Sequence, residues 1–239
     1  SDVCSSDLKV TRMSEMFSKC TNLKSLDISS FNTSKVELME MMFADCNSLI
    51  SLDVSHFDTQ NVTEMDLMFF NCSSLTNLDV SSFNTSNVES MRAMFGGCSS
   101  LTSLDVSHFD TGKVPDMSDM FAWCSKLLGL DVSHFNTSHV TNMGSMFYSC
   151  KSLRELDLSS FYTGEVTDMS SMFSNCDILE SIYVSDNWTT ANVTSGDGVF
   201  YRCDRLIGGM GTTAHNSEQT DYTYAGIDGG PDAPGYLTD

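Results

Sequence analysis

Residues 75–100 run Leu-Thr-Asn-Leu-Asp-Val-Ser-Ser-Phe-Asn-Thr-Ser-Asn-Val-Glu-Ser-Met-Arg-Ala-Met-Phe-Gly-Gly-Cys-Ser-Ser, and the pattern restarts at Leu101. Cysteine falls at Cys20, Cys46, Cys72, Cys98, Cys124, Cys150 and Cys176, always 26 residues apart, then at Cys203 after a step of 27. The Met-Phe pair before it keeps the same beat from Met16-Phe17 to Met172-Phe173, and Val199-Phe200 ends the series. Six full units run from Leu23 to Ile178, preceded by a partial unit and followed by a 27-residue one, Leu179–Arg205. A period this regular over most of a chain means a solenoid. A lone unit cannot bury enough apolar surface to offset the ordering of its backbone, so the core must run through the stack.

Inside one unit the hydrophobic period changes. Leu78-Asp79-Val80-Ser81 alternates, which reads as a short strand with one buried face. Asn84 to Asn87 is polar and turns the chain. Val88, Met91, Met94, Phe95 and Cys98 then step by three, three, one and three, the stripe of a short amphipathic helix. Pro115 follows the valine of its own unit, and proline is tolerated in a helix's first turn, so the helix is expected to begin there. The architecture expected is α/β, a right-handed solenoid with a parallel sheet on the concave face and short helices on the convex face.

The repeating pattern Leu-x-x-Leu-Asp-Val-Ser-x-Phe-x-Thr-x-x-Val-x-x-Met-x-x-Met-Phe-x-x-Cys resembles the BspA-type leucine-rich repeat of bacterial surface proteins. The resemblance covers Lys9 to about Ile207. Segments such as Ile207 to Thr212 and Tyr224 to Gly230 resemble the part that closes these arrays. It implies a leucine-rich-repeat fold, a place on the cell surface or outside the cell, and adhesion to a protein or glycan ligand on host or neighbouring cells. Signal peptide and anchor are not visible in the stretch given.

Three divisions follow. Residues 9–207 form the solenoid. Residues 1–8 drop out of register and look like one translated frame of a short-read sequencing adapter, so they read as a non-native tail. Residues 208–239 lose the period and gain glycine, threonine and aspartate, which reads as an irregular cap followed by a linker.

The 239 residues carry 32 acidic and 12 basic side chains, a formal charge of −20. That balance argues against nucleic acid or an anionic membrane as partner. No apolar run reaches the length of a membrane helix. No catalytic grouping recurs as a singular site, so a non-catalytic chain without cofactor or metal is expected, acting as a monomer. No Cys-x-x-Cys occurs, and helices stacked about 8–10 Å apart hold their cysteines too far apart for disulfides. The cysteines are therefore read as buried, free thiols. Fourteen of the sixteen methionines fall in two columns at helical spacing and are read as core rather than a copper site. A second phenylalanine column, Phe31 to Phe161, is read as a stacked spine, with Trp188 capping it. His108 and His134, in adjacent units beside Asp105 and Asp131, are the one pair that could face a metal, and the default is a solvated rim.

The most informative column is acidic. Asp27, Asp53, Asp79, Asp105, Asp131 and Asp157 take the outward position between buried strand residues, and Ser55, Ser81, Ser107 and Ser133 sit two residues further on, facing the same way. Parallel strands lie about 4.8 Å apart, where like charges repel by about 0.9 kcal/mol per pair even in water. Either serine and backbone hydrogen bonds offset that repulsion, or the strip is built for a cation or basic partner. A passive spacer and an intracellular scaffold are the competing readings.

Overall fold

The computed structural model describes residues 10–214 and 218–239, so the expected non-native tail lies outside the described residues. The repeat units wind into coils stacked in register. Among the described residues regular strand is confined to β1 (Glu155–Asp157) and β2 (Ser181–Tyr183), which pair in parallel with Leu156 opposite Ile182. Elsewhere the same column is held by single contacts, such as the Ser51–Asn77 bridge and the Thr76 N–H bond to the Ile50 carbonyl at 3.3 Å. The parallel sheet is present but thin. The aspartate bond limits how far pairing can run: the Ser81 N–H goes to Asp79 Oδ1 at 3.0 Å, and just past β1 the Ser159 N–H goes to Asp157 in the same way.

The expected helices are absent. Among the described residues the segment from the first methionine to the cysteine contains no α-helix in any coil. Its amides instead alternate. Leu67, Phe69 and Asn71 donate to the carbonyls of Arg92, Met94 and Gly96 in the next coil, at 2.8, 2.9 and 2.6 Å. Met68, Phe70 and Cys72, between them, donate three residues back to Met65, Leu67 and Phe69. Leu67 (φ 52°) and Asn71 (φ 58°) sit in the left-handed region, each as the third residue of a turn, where a type II turn requires it. Successive turns share the three-residue step of a helix, which is why the spacing alone suggested one. The hydrogen bonds decide: a helix keeps them all to itself, whereas this ribbon gives half to its neighbour.

That exchange draws the coils close. The rings of Phe17, Phe43, Phe69, Phe95, Phe121, Phe147, Phe173 and Phe200 stack at centroid spacings of 5.6 to 5.9 Å, within 12° of parallel. The axial stack therefore belongs to this column rather than to the one beginning at Phe31. Rings of the latter lean on it, as Phe83 does on Phe69 at 6.3 Å. Tyr236 meets the last ring edge-on at 5.2 Å and closes the stack. Trp188 has a different duty. It is buried and its indole N–H holds the Ala225 carbonyl at 2.9 Å, tying the closing segment down.

Two further ladders run along the axis. Each threonine of the Phe-x-Thr motif is buried and bonds the next coil twice. The Thr85 hydroxyl donates to the Asp110 carbonyl at 3.0 Å and accepts the Asp110 N–H at 2.7 Å. Beyond each valine, parallel bridges link Arg12, Leu38, Glu64 and Ser90, then Asp116, Asn142, Asp168 and Ser195. The gap between the two runs falls at Pro115. It starts no helix; it lacks the N–H that Thr63-type positions donate backward, while its carbonyl still accepts from Thr141 at 2.8 Å.

The last stretch of chain is part of the cap rather than a linker. Thr238 pairs with Tyr183 in parallel, its N–H reaching the Ile182 carbonyl at 2.9 Å, and Tyr236 and Leu237 are buried. Asp228 braces this segment. It accepts from Met210 N, Thr212 N, the Thr212 hydroxyl and Gly230 N at 2.8 to 3.0 Å. Burial pushes its carboxyl up, but those bonds outweigh it and hold the group at about 2.

If the phenylalanine stack carries the core, Phe95→Ala in mid-array should lower unfolding stability by about 3–5 kcal/mol. Phe17→Ala, at the half-buried first ring, should cost less than half as much. Urea unfolding of both variants checks the difference; equal losses would contradict it.

Candidate functional site: the aspartate strip and its surroundings

The six aspartates lie where the alternation places them, exposed and one per coil. Each binds the serine two residues on through its own Oδ1. The serine N–H donates at 3.0 Å in all six coils, and the hydroxyls of Ser55, Ser107 and Ser133 donate as well, at 2.6 to 2.7 Å. The serine side chain and then its backbone hold Asp27, Asp53, Asp79, Asp105 and Asp131 below the ordinary aspartate range. For Asp79 those bonds prevail over the repulsion of Asp53 and Asp105 on either side. From Asp27 to Asp131 the serine bonds thus favour the ionised carboxylate without a cation to offset its charge.

Two depressions open along this face. One, of about 430 Å³, is lined among others by Leu128, Asp131, Glu155, Asp157 and Tyr183. The other, of about 370 Å³, is lined by Asp79, Ser103 and Asp105 among others, and Gly129 borders both. A Cβ on Gly129 would meet nothing within 4 Å, so the floor there is open. Leu128 is 69 % exposed and Tyr183 38 %. Neither was singled out as a site residue from the sequence. The available signal was departure from the repeat: Leu128-Gly129 stands where other units carry Thr76-Asn77 or Thr102-Ser103, and Tyr183 stands where six units carry aspartate. The nearby cation, Arg154, is committed to Glu180 at 3.0 Å rather than to the strip.

The histidines do not converge. His108 Nε2 lies 3.0 Å from the Val80 carbonyl, in the coil before its own, and His56 repeats this with Ile28 at 2.9 Å. A carbonyl only accepts, so Nε2 carries the hydrogen in both. His134 turns Nδ1 to the hydroxyl of its own Ser133. Among the described residues no three His, Cys, Asp or Glu side chains come together as a metal site.

Among the described residues the thiols are free, and those from Cys46 to Cys203 are buried, whereas Cys20 is exposed and departs from the column. The reason is not the wide helix spacing expected, since the coils are close. Each buried thiol is occupied: Cys98 Sγ donates to the Phe69 carbonyl of the preceding coil at 3.2 Å, and the other buried thiols repeat the contact. Burial pushes Cys72, Cys124 and Cys176 up to about 12, so they stay protonated and unreactive. The methionine columns are fully buried through the middle of the array and pack as core.

A family profile described as "Mycoplasma protein of unknown function, DUF285" matches residues 6–104 and 94–211. No curated protein matches the chain. A crystal structure of a leucine-rich repeat protein from Bacteroides ovatus ATCC 8483 aligns at 18 % identity with a TM-score of 0.43. The alignment covers 82 % of this chain and 62 % of that one, so this chain spans less than two thirds of that protein's length. Among the described residues no helix is long and apolar enough to cross a membrane.

Two measurements check this chemistry. In a Cys4→Ser background, a thiol reagent should label Cys20 alone in the native protein and the buried seven only on unfolding. Rapid native labelling of Cys98 or Cys124 would contradict the burial. Carbon-detected NMR titration should give Asp79 and Asp105 midpoints below an ordinary aspartate. Lowered values stabilise the fold at neutral pH, and that stability is lost as pH falls through the depressed range. Ser81→Ala and Ser107→Ala should move the midpoints back up.

Proposed function

The chain belongs to the DUF285 family of BspA-type leucine-rich-repeat proteins, and on that premise we propose that it is a non-catalytic surface-exposed binding module. Leucine-rich-repeat membership indicates a protein-interaction role. The ligand we propose is a basic segment of a protein on a host or neighbouring cell, held on the concave side of the solenoid by the Asp27 to Asp157 strip. No cofactor is needed, and the module acts as a monomer.

One observation carries this reading. A line of exposed carboxylates, each bonded by its own serine, runs beside the exposed Leu128 and Tyr183 and the open floor at Gly129. Ionised groups along a depression with an apolar, aromatic centre favour long cationic side chains, whose aliphatic stems cover Leu128 and whose charges meet Asp131 and Asp157. The net charge of −20 adds a long-range attraction for basic partners. The same serine bonds also give each aspartate a local role in turning its coil, and that alone would suffice for a passive spacer.

The two readings separate in one experiment. Beads coated with the chain are scored for adhesion to epithelial cells and to neighbouring bacteria, with wild type against the Asp79→Asn, Asp105→Asn, Asp131→Asn triple variant. Asparagine can still accept the serine N–H, so the coils should remain folded. Binding through the strip predicts at least a tenfold loss of adhesion. Unchanged adhesion would sink it and favour the spacer.

A further inference from the structure

Away from the aspartate strip, on the ribbon of turns, each coil presents two residues between its phenylalanine and its cysteine. In four successive coils these are Phe70-Asn71, Gly96-Gly97, Ala122-Trp123 and Tyr148-Ser149. The glycine pair opens a notch of about 360 Å³ lined by Phe70, Asn71, Ser73, Gly97, Ser99 and Trp123. Side chains at 96 and 97 would obstruct it. A Cβ on Gly96 would lie 3.2 Å from Phe70 Cδ2, and one on Gly97 would lie 2.9 Å from Asn71 Cα and 3.3 Å from Asn71 Oδ1. Phe70 and Trp123 belong to coils two steps apart, steps of 5.8 and 5.9 Å as measured along the phenylalanine stack.

We propose that this notch is a saccharide-binding site, with a sugar ring seated between Phe70 and Trp123. The first reason is Trp123 itself. It is 43 % exposed, so the core gains little from it, and it sits at φ 58°, in the left-handed region that a bulky side chain rarely adopts. Every coil takes a positive φ at this position, with Lys19, Asn71, Gly97, Ser149 and Arg202 among the occupants, so the conformation belongs to the fold and the indole is what this coil adds. A half-exposed tryptophan is a side chain the fold does not ask for at a position that small or polar residues fill in other coils. Tyr148 packs against it at 5.2 Å and 62°, which restrains the indole.

The second reason is the lining. In a chain of charge −20 none of the six lining residues is charged. A cationic ligand meets no carboxylate among these six residues, and an anionic one is repelled by the chain as a whole. What the notch offers is two aromatic faces with neutral polar groups at the rim. Asn71 commits one amide hydrogen to Asp45 Oδ1 at 2.8 Å, and its carbonyl oxygen faces Gly97. Ser73 and Ser99 direct their hydroxyls to backbone carbonyls at 3.4 Å and keep their oxygens as acceptors. Acceptors at the rim require a ligand that brings donors. A pyranose does so at its edge while presenting an apolar C–H face to the aromatic rings; a proline-rich peptide stacks equally well but brings no N–H from its prolines.

Intrinsic fluorescence reads the site directly, because the chain has two tryptophans and Trp188 is buried. The probes are the methyl glycosides of glucose, galactose, mannose and N-acetylglucosamine. At least one should shield Trp123 from acrylamide quenching, with a dissociation constant on the order of 1 mM, as befits a ligand of this size. Phe70→Ala should weaken that protection at least tenfold. Trp123→Asn, which suits the backbone, should abolish saturation transfer from protein to sugar in NMR while Trp188 emission reports an intact fold. The Asp79, Asp105 and Asp131 triple asparagine variant should bind the sugar as wild type does, so this site and the strip succeed or fail separately. Protection by none of the four glycosides, protection unaffected by Phe70→Ala, or protection by a polyproline peptide in place of sugar would overturn the proposal.

Discussion

Every second amide between the first methionine and the cysteine of a coil is held by a carbonyl of the next coil, as Phe69 is by Met94 at 2.9 Å. This exchange sets the spacing of the array, and the rest follows from it. Coils that share backbone hydrogen bonds lie close enough for phenylalanine rings to stack. They also lie close enough for Thr85 to hold both the N–H and the carbonyl of Asp110 and for Cys98 to reach the Phe69 carbonyl. A one-residue slip would misalign every column at once, which explains the constancy of the period. The lone 27-residue step is placed accordingly. Asp157 still pairs with Tyr183, 26 residues on, but Thr163 reaches Thr189 where earlier threonines reach 25 residues ahead. The extra residue therefore falls between Tyr183 and Thr189, in the loop that brings Trp188 down onto the closing segment.

Close stacking also sorts positions into those the array uses and those it leaves free. Leucine, valine, methionine, phenylalanine, threonine and cysteine columns are all engaged by a neighbouring coil. The outward side chains of the strand positions are largely not, and those just ahead of the cysteine are engaged in part, as Asn71 is by Asp45 and Trp123 by Tyr148. Variation collects there: Leu128-Gly129 and Tyr183 on one face, Gly96-Gly97 and Trp123 on the other. Binding chemistry can be added at such positions without disturbing the ladders, so both proposed sites lie on them.

Much of this was legible in the sequence, and for a physical reason. A period of 26 in eight columns forces stacking, alternation at Leu78 to Ser81 identifies the face of the aspartates, and Asp-x-Ser predicts the turn that holds Asp79 ionised. The helix was misread because Val88, Met91 and Met94 are spaced by three, which a helix and a chain of turns share. The residues that could have argued otherwise are Asp45, Asn71, Gly97 and Asn175, types that tolerate a left-handed backbone, recurring where a helix would not want them. The strands are short for a related reason, because the aspartate that marks each one also takes the N–H of the serine after it. The notch at Trp123 was hidden because it arises from exceptions in three successive units, and a reading built on the repeat averages exceptions away.

The central claim is that the coils are joined by a ladder of turns rather than packed as helices. Far-ultraviolet circular dichroism of the folded chain tests it most directly. A turn-and-bridge solenoid predicts a spectrum without the double minimum of α-helix, lost cooperatively on unfolding. A pronounced helical double minimum in the native protein would contradict it.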